Sequence, residues 1–275
     1  MEKSKTKILF YGNCQTQALT QFIQNTNYDL EFIECFTTDI SRQEMLNSIN
    51  SSDIIITQPI SDSYRDFDYL STKFLYENKK DDTQFIVFPS LFCGVYFPDL
   101  ILENKPPCDY HYTNLKNYFT NKKTPTEFIS ECVNNDKLIS TSDILKNADS
   151  AIQKLKNKET EFTTRNYDCL FIPMADYIEN NWKEKLLFYA INHASKHLFH
   201  VILNEIQNKL NLDLNVNYEI DPQYHGQRCI IYECVNSVLN FDNKNYQPRI
   251  KFLNSGECVD GTDNVVNQYY KAYNT

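Results

Sequence analysis

Glycine is scarce. The 275-residue chain has five, where average usage of ~7% would give roughly nineteen. Neither glycine-rich phosphate cradle is present: there is no G-x-G-x-x-G for a dinucleotide and no G-x-x-x-x-G-K-S/T loop. No apolar run approaches the ~18 residues of a membrane span. The apolar run after Met1–Lys7 is too short for a signal peptide, so a cytoplasmic protein is expected. The nine cysteines are odd in number and form no C-x-x-C pair, which points to reduced thiols rather than a disulfide framework. No basic stripe appears, and the net charge of −9 argues against nucleic acid as a partner. An anionic ligand held in one local pocket remains compatible with that charge. No internal repeat and no clear linker divide the chain. With 41% hydrophobic residues, a single α/β domain over residues 1–275 is expected.

The stretch that organises the rest is Lys7-Ile8-Leu9-Phe10-Tyr11-Gly12-Asn13-Cys14-Gln15. Ile8 to Tyr11 is a short apolar run of strand formers. It breaks at Gly12, and Ala18, Leu19, Phe22 and Ile23 then recur at helical spacing. Strand, tight turn and helix make the opening half of a βαβ unit. The turn holds Cys14 at or near the helix N-terminus, where the helix dipole favours a thiolate. Cys14 is therefore the candidate nucleophile.

Further strands are expected at residues 30–36, 53–57, 84–90 and 186–191, alternating with helices over 41–50 and 69–78. That interval predicts a parallel sheet covered on both faces. Residues 95–113, rich in Tyr, Phe and Pro, read as a long structured loop containing His111. Thr124-Pro125-Thr126-Glu127 fits a capping box. Helices are predicted through about residue 134, over 142–158 and over 176–182, and residues 120–182 read as a helical insertion. A long helix is predicted over 194–210 and a terminal one over 263–273. Residues 229–235 suit a strand or a helix equally.

Three polar groups fall at predicted strand ends: Cys14, Gln58 and His193. In an open parallel sheet the carboxyl ends of the strands form the ligand crevice, so Cys14 and His193 are expected to meet there. A thiol needs a base beside it, and a neutral imidazole supplies one. A backbone N–H after the turn, with the Gln58 or Asn13 amide, suits an oxyanion. The blander reading makes Cys14 a buried small side chain and Gln58 a satisfier of loop backbone. His193, His197 and His200 are spaced i, i+4 and i+7 on one predicted helix, but no H-E-x-x-H pattern accompanies them and no metal is expected.

Gly12-Asn13-Cys14-Gln15, Thr57-Gln58-Pro59-Ile60-Ser61-Asp62-Ser63-Tyr64-Arg65, Phe88-Pro89-Ser90 leading to Gly94-Val95-Tyr96-Phe97-Pro98-Asp99, and Asn192-His193 resemble, in this order, the WcbI family of bacterial capsular-polysaccharide biosynthesis proteins. The resemblance covers most of residues 5–210. It implies a three-layer α/β sandwich around a mostly parallel sheet, similar to SGNH hydrolases, with a helical insertion and C-terminal additions. It also implies coenzyme A or acetyl-CoA as co-substrate and acetyl transfer to a sugar hydroxyl. On that analogy Gly12-Asn13-Cys14 stands where those hydrolases carry Gly-Asp-Ser, and His193 where they carry the catalytic His. The acid three residues before the His is replaced by Ala190, so a Cys–His dyad, oriented by the Asn192 amide, is the economical expectation. Catalytic roles are thus expected of Cys14, His193, Gln58 and Asn13. CoA contacts are expected of Gly12 and Gln15 at the turn and of Arg65, followed by Lys73 and His111, for its phosphates. Whether Cys14 is acylated or only shapes the oxyanion site stays open, as does a homo-oligomer. The alternatives are a thiol-dependent glycan esterase and a non-catalytic binding subunit of a polysaccharide assembly system.

Overall fold

The computed structural model describes residues 5–24, 27–36, 39–62 and 64–274. Met1–Ser4, and Ser63 of the Gln58–Pro59 stretch, lie outside the described residues. In chain order the first elements are β1 (Thr6–Gly12), α1 (Cys14–Phe22), β2 (Tyr28–Glu34), α2 (Arg42–Ser51), β3 (Ile54–Thr57), α3 (Thr72–Asn78) and β4 (Gln84–Val87). Then come β5 (Leu100–Leu102), β6 (Tyr110–Tyr112), α4 (Thr113–Thr120), α5 (Pro125–Phe128), α6 (Thr141–Thr163), β7 (Leu170–Phe171) and α7 (Ala175–Asn181). The chain closes with β8 (Phe188–Ala190), β9 (His193–Ala194), α8 (Lys196–Leu210), α9 (Glu233–Asn236), β10 (Arg249–Lys251), β11 (Cys258–Asp260) and α10 (Thr262–Asn274). These elements fall into two compact units. One comprises Met1–Leu91, Lys156–Ala175 and Lys196–Pro222; the other comprises Phe92–Leu155, Asp176–Ser195 and Gln223–Thr275. Residues 120–182 are divided between them.

The first unit is built on a five-stranded parallel sheet of order β2-β1-β3-β4-β7. The order explains its layers. Right-handed crossovers put α1, which leads outward from β1 to β2, on one face. They put α2 and α3, which lead back through β3 to β4, on the other. Alternate strand residues sort accordingly: Leu9, Tyr11, Ile55, Phe85 and Val87 form one apolar core with Met45 and Ile49 of α2 and Phe74 and Leu75 of α3. Ile8, Phe10, Ile54, Ile56 and Ile86, equally buried, point to the opposite face. On the α1 side, the Phe22 ring packs 5.7 Å from Phe199 of α8. Ile8 to Tyr11 are wholly buried because both faces are covered, so the strand reads as an unbroken apolar run.

The second unit is aromatic. Tyr110, Tyr112, Phe119, Phe128, Tyr232 and Tyr269 are almost wholly buried, and edge-on or tilted ring pairs such as Tyr112–Tyr269 (5.8 Å) and Phe119–Phe128 (5.8 Å) join them. The expected capping box is present: Thr124 Oγ1 accepts from Glu127 N–H while the Glu127 carboxylate accepts from Thr124 N–H, with Pro125 in the first turn.

Four expectations need correcting. The run 186–191 is not a strand of the parallel sheet: β8 pairs antiparallel with β9 as a separate hairpin in the second unit. A short apolar run looks alike in either setting, because both bury it. The fifth strand of the sheet is β7, whose two residues give no periodicity to read. The stretch 95–113 contains the hairpin of β5 and β6. Finally, α8 starts at Lys196, so His193 lies on a strand and the three histidines do not share a helix face.

Candidate functional site

The first polar corner lies at the carboxyl ends of β1 and β3, beside the point where strand order reverses from β2 to β3 across β1. In a doubly wound sheet that is where ligands sit. Gly12 closes β1, Asn13 caps α1, and Cys14 is the first helical residue. Asn13 Oδ1 accepts from Gln15 N–H at 2.9 Å, the usual way a cap satisfies one of the open amides of a first turn. Gly12 is required by space. A Cβ there would stand 2.2 Å from Thr16 Oγ1 and 2.9 Å from Gln58 Oε1.

Gln58, Gln15 and Thr16 are nearly or wholly buried, and their polar atoms satisfy one another. Gln58 Oε1 accepts from Asn13 N–H and from Thr16 Oγ1, each at 3.2 Å. Gln58 Nε2 donates to Gln15 Oε1 at 2.8 Å. The Gln15 carboxamide also clasps the backbone of Leu91, accepting from its N–H (2.9 Å) and donating to its carbonyl (2.8 Å). Thr72 Oγ1 holds the Gln58 carbonyl at 2.8 Å. A buried amide network of this kind is rigid when complete and costly when broken. It therefore fixes the turn that presents Cys14.

Cys14 is half-buried, and none of the nine cysteines is in a disulfide. Elsewhere burial raises the thiols: Cys35 and Cys108 to about 11 and Cys93 to about 12. Those three are protonated at neutral pH and inert. Cys258 is exposed.

The second corner, in the other unit, is built around His193. Its Nδ1 lies 2.8 Å from the Gln227 carbonyl oxygen. A carbonyl only accepts, so Nδ1 carries the proton of the neutral ring and Nε2 keeps its lone pair. Burial lowers the His193 pKa below the usual 6.5, while the Gln227 hydrogen bond and the Asp109 charge pull it back up. The Tyr110 ring stands edge-on at 6.2 Å, and its hydroxyl donates to Asn192 Oδ1 at 2.7 Å. The group that orients the imidazole is thus a backbone carbonyl from far along the chain. Ala190, at the place of the expected acid, is the ladder partner of His193. The hairpin carrying it is anchored by Tyr96, whose hydroxyl accepts from Leu187 N–H at 3.2 Å, and by Cys93 N–H donating to the Ile191 carbonyl at 2.7 Å.

Gly12, Asn13, Cys14, Gln15 and Gln58 are therefore brought together in one unit, and His193 is oriented in the other. Arg65 follows β3 in the first unit; it is exposed, has φ +52°, and donates through Nη1 to the Phe36 carbonyl at 2.6 Å. Lys73 is exposed beside Glu77 at 3.8 Å. His111, in the second unit, has both ring nitrogens engaged, by Tyr273 Oη and the Lys105 carbonyl, each at 3.2 Å. Asp99, from the Gly94–Asp99 stretch, accepts from Asn114 N–H at the start of α4 and from Tyr232 Oη. Gln227 and Gly226 escaped the sequence reading. Gly226 offered a signal, being one of only five glycines: a Cβ there would lie 3.6 Å from His193 Cε1 and 3.2 Å from the Gln223 carbonyl.

Comparison with known proteins gives a family and a fold. The family model described as polysaccharide biosynthesis enzyme WcbI matches residues 7–215. No curated protein sequence matches. A solved structure of WcbI, a polysaccharide biosynthesis enzyme in its native form without a disulfide bond between CoA and that protein's Cys14, superposes with a TM-score of 0.80 at 18% identity. The match covers 98% of this chain and 90% of that one. Among the described residues no helix is long and apolar enough to cross a membrane. With its model matched over most of its length, the chain belongs to the WcbI family of polysaccharide biosynthesis enzymes.

Proposed function

We propose that this family member is a cytoplasmic CoA-dependent acetyltransferase that O-acetylates a sugar during capsular or surface polysaccharide biosynthesis. The observation that carries the proposal is the placement of Cys14 as the first residue of α1, at the reversal point of the sheet, on a turn locked by the Gln58–Gln15 network. A thiol there is positioned for thioester chemistry, because the helix N-terminus favours its anion. The solved WcbI structure, native and without a disulfide bond between CoA and that protein's Cys14, supports pairing CoA with a thiol.

Acetyl-CoA supplies the activated acetyl group when bound. Cys14 Sγ attacks the acetyl carbonyl as His193 Nε2 takes the thiol proton, and the CoA sulfur leaves with that proton as the free thiol. His193 Nε2 then takes the proton of the acceptor hydroxyl as that oxygen attacks the Cys14 thioester, and the Cys14 thiolate departs. In the direct variant, His193 activates the hydroxyl for attack on the CoA thioester, and Cys14 only shapes the oxyanion site with Asn13. In both, Gln58, Gln15 and Gly12 act by holding the turn. Arg65, in the loop after β3, is the first candidate for the CoA phosphates, followed by Lys73 and His111.

Thermal-shift titration with CoA and acetyl-CoA tests the proposal. Ligand at 100 times its dissociation constant adds ~2.7 kcal/mol of stability. Intact-mass detection of an acetyl adduct lost in Cys14→Ala separates the covalent route from the direct one. Absence of any shift, with hydrolysis of acylated glycans in water alone, would make the protein an esterase instead.

A further inference from the structure

The loop Gln223–Arg228 lies beyond the family-matched segment, which ends at residue 215, yet it supplies the carbonyl that orients His193. Its geometry depends on Arg228. That side chain is buried, with 7% of its surface exposed, and every branch of its fork is used. Nε donates to the Gln247 carbonyl at 2.8 Å, Nη1 donates to the Tyr224 carbonyl, and Nη2 reaches Asp260 at 3.5 Å. The guanidinium also lies 4.5 Å from the Tyr224 ring centre. The Arg228 backbone bonds both ways with Arg249, at 2.7 and 2.8 Å. Next to it, Gln227 Oε1 accepts from Lys251 N–H at 2.9 Å. The loop is thus clamped at both ends of its fork, to its own turn at Tyr224 and to the β10–β11 hairpin. The Gln227 carbonyl is what the clamp holds still.

We propose that Arg228 is a positioning residue for His193: by clamping the Gln223–Arg228 loop it keeps the Gln227 carbonyl on Nδ1 and so leaves Nε2 as the basic atom. A planar fork that reaches three separate acceptors in fixed directions is what arginine provides and lysine does not. The inference rests on His193 acting as the base of the proposed transfer, but it concerns the state of the imidazole and can be read without turnover.

The experiment is long-range ¹H–¹⁵N NMR on the full chain labelled at histidine, with His193 assigned by its loss in His193→Gln. The wild type should show a neutral ring protonated at Nδ1. Arg228→Gln should give a mixture of tautomers with kcat lowered ~10-fold, the equivalent of one neutral hydrogen bond of ~1.4 kcal/mol. Arg228→Lys should recover little of this. Gln227→Ala, which loses only the Lys251 anchor and keeps the carbonyl, should give a smaller shift in the same direction and carries the reading if Arg228→Gln does not fold. An unchanged tautomer in the folded variants would overturn the proposal, even if thermal stability falls. If the tautomer shifts but no acetyl transfer is ever detected, the proposed function fails while the role of Arg228 stands. If transfer needs His193 but the tautomer ignores Arg228, the reverse holds.

Discussion

The Cys14 corner and the His193 corner reach a fixed geometry by opposite routes. Around Cys14 the decisive residues are close in sequence: Gly12 makes room, Asn13 caps the helix, and Gln15 and Thr16 turn inward within the first turn of α1. Gln58, Leu91 and Thr72 come from farther away, and the first two follow adjacent strands of the same sheet. Around His193 almost nothing is local. Its orienting carbonyl is Gln227, its edge-on neighbour Tyr110, and its hairpin anchor Tyr96. A helix start is encoded by a handful of consecutive residues, because cap, dipole and turn sterics act within one turn. A strand-end histidine acquires its tautomer and pKa from whatever the fold packs against it.

The comparison is broken most severely at the reacting groups themselves. His193→Ala should lower kcat for acetyl transfer ~10²–10⁴-fold, the range of general-base contributions, whereas Asn192→Ala should do far less, since the Nδ1 partner is Gln227. Burial favours neutral His193, so the acidic limb of kcat/KM should fall below pH 6.5, the ordinary imidazole value. The linkage sign follows from that lowered pKa: below ~6.5 the unfolded chain binds a proton that the folded chain refuses, so stability falls as pH drops towards the folded value. His200, lowered to about 4 chiefly by burial, adds to the same slope. Tm measured against pH should therefore retain part of its acid dependence in His193→Gln.

At the other corner, Gln58→Leu tests the buried network. It strips the Gln58 acceptor from Asn13 N–H and Thr16 Oγ1 and removes one of two donors from Gln15 Oε1, which keeps Leu91 N–H; each buried group left unsatisfied costs ~1–3 kcal/mol. Urea denaturation should show a larger loss than Asn13→Ala, which removes a cap worth ~1 kcal/mol. Gly12→Ala forces a methyl to within 2.2 Å of Thr16 Oγ1 and should cost ~1–3 kcal/mol by overpacking. Pairing it with Thr16→Ser sharpens the test: a smaller side chain that keeps the hydroxyl should relieve little, because the clash is with Oγ1. The smallest effect belongs to Lys73→Ala. Its exposed pair with Glu77 is worth less than ~0.5 kcal/mol of stability, so a tenfold loss of CoA affinity in this variant would assign Lys73 a phosphate contact outright.

Thiol reactivity separates Cys14 from its eight neighbours. In a Cys258→Ser background, which removes the exposed competitor, iodoacetamide at neutral pH should modify Cys14 first. Cys35, Cys93 and Cys108, raised by burial to about 11, 12 and 11, should stay unmodified until the chain unfolds.

What the sequence determined by itself was the βαβ opening with Cys14 at a helix start, the parallel order implied by strands spaced with helices, the capping box at Thr124, and the family. Each rests on residues within a turn or two of one another, or on motif order along the chain. The tertiary structure alone decided that 186–191 turns back as a hairpin instead of joining the sheet, that the two residues of β7 complete the sheet, and that the Gln58 amide is spent on bracing the turn. It alone decided that the Gln227 carbonyl, 34 positions further along the chain, meets the His193 imidazole at Nδ1. The physical reason is common to these. Burial and hydrogen-bond satisfaction are properties of the packed chain, and a short apolar run or a lone polar residue carries no mark of which distant partner will complete it.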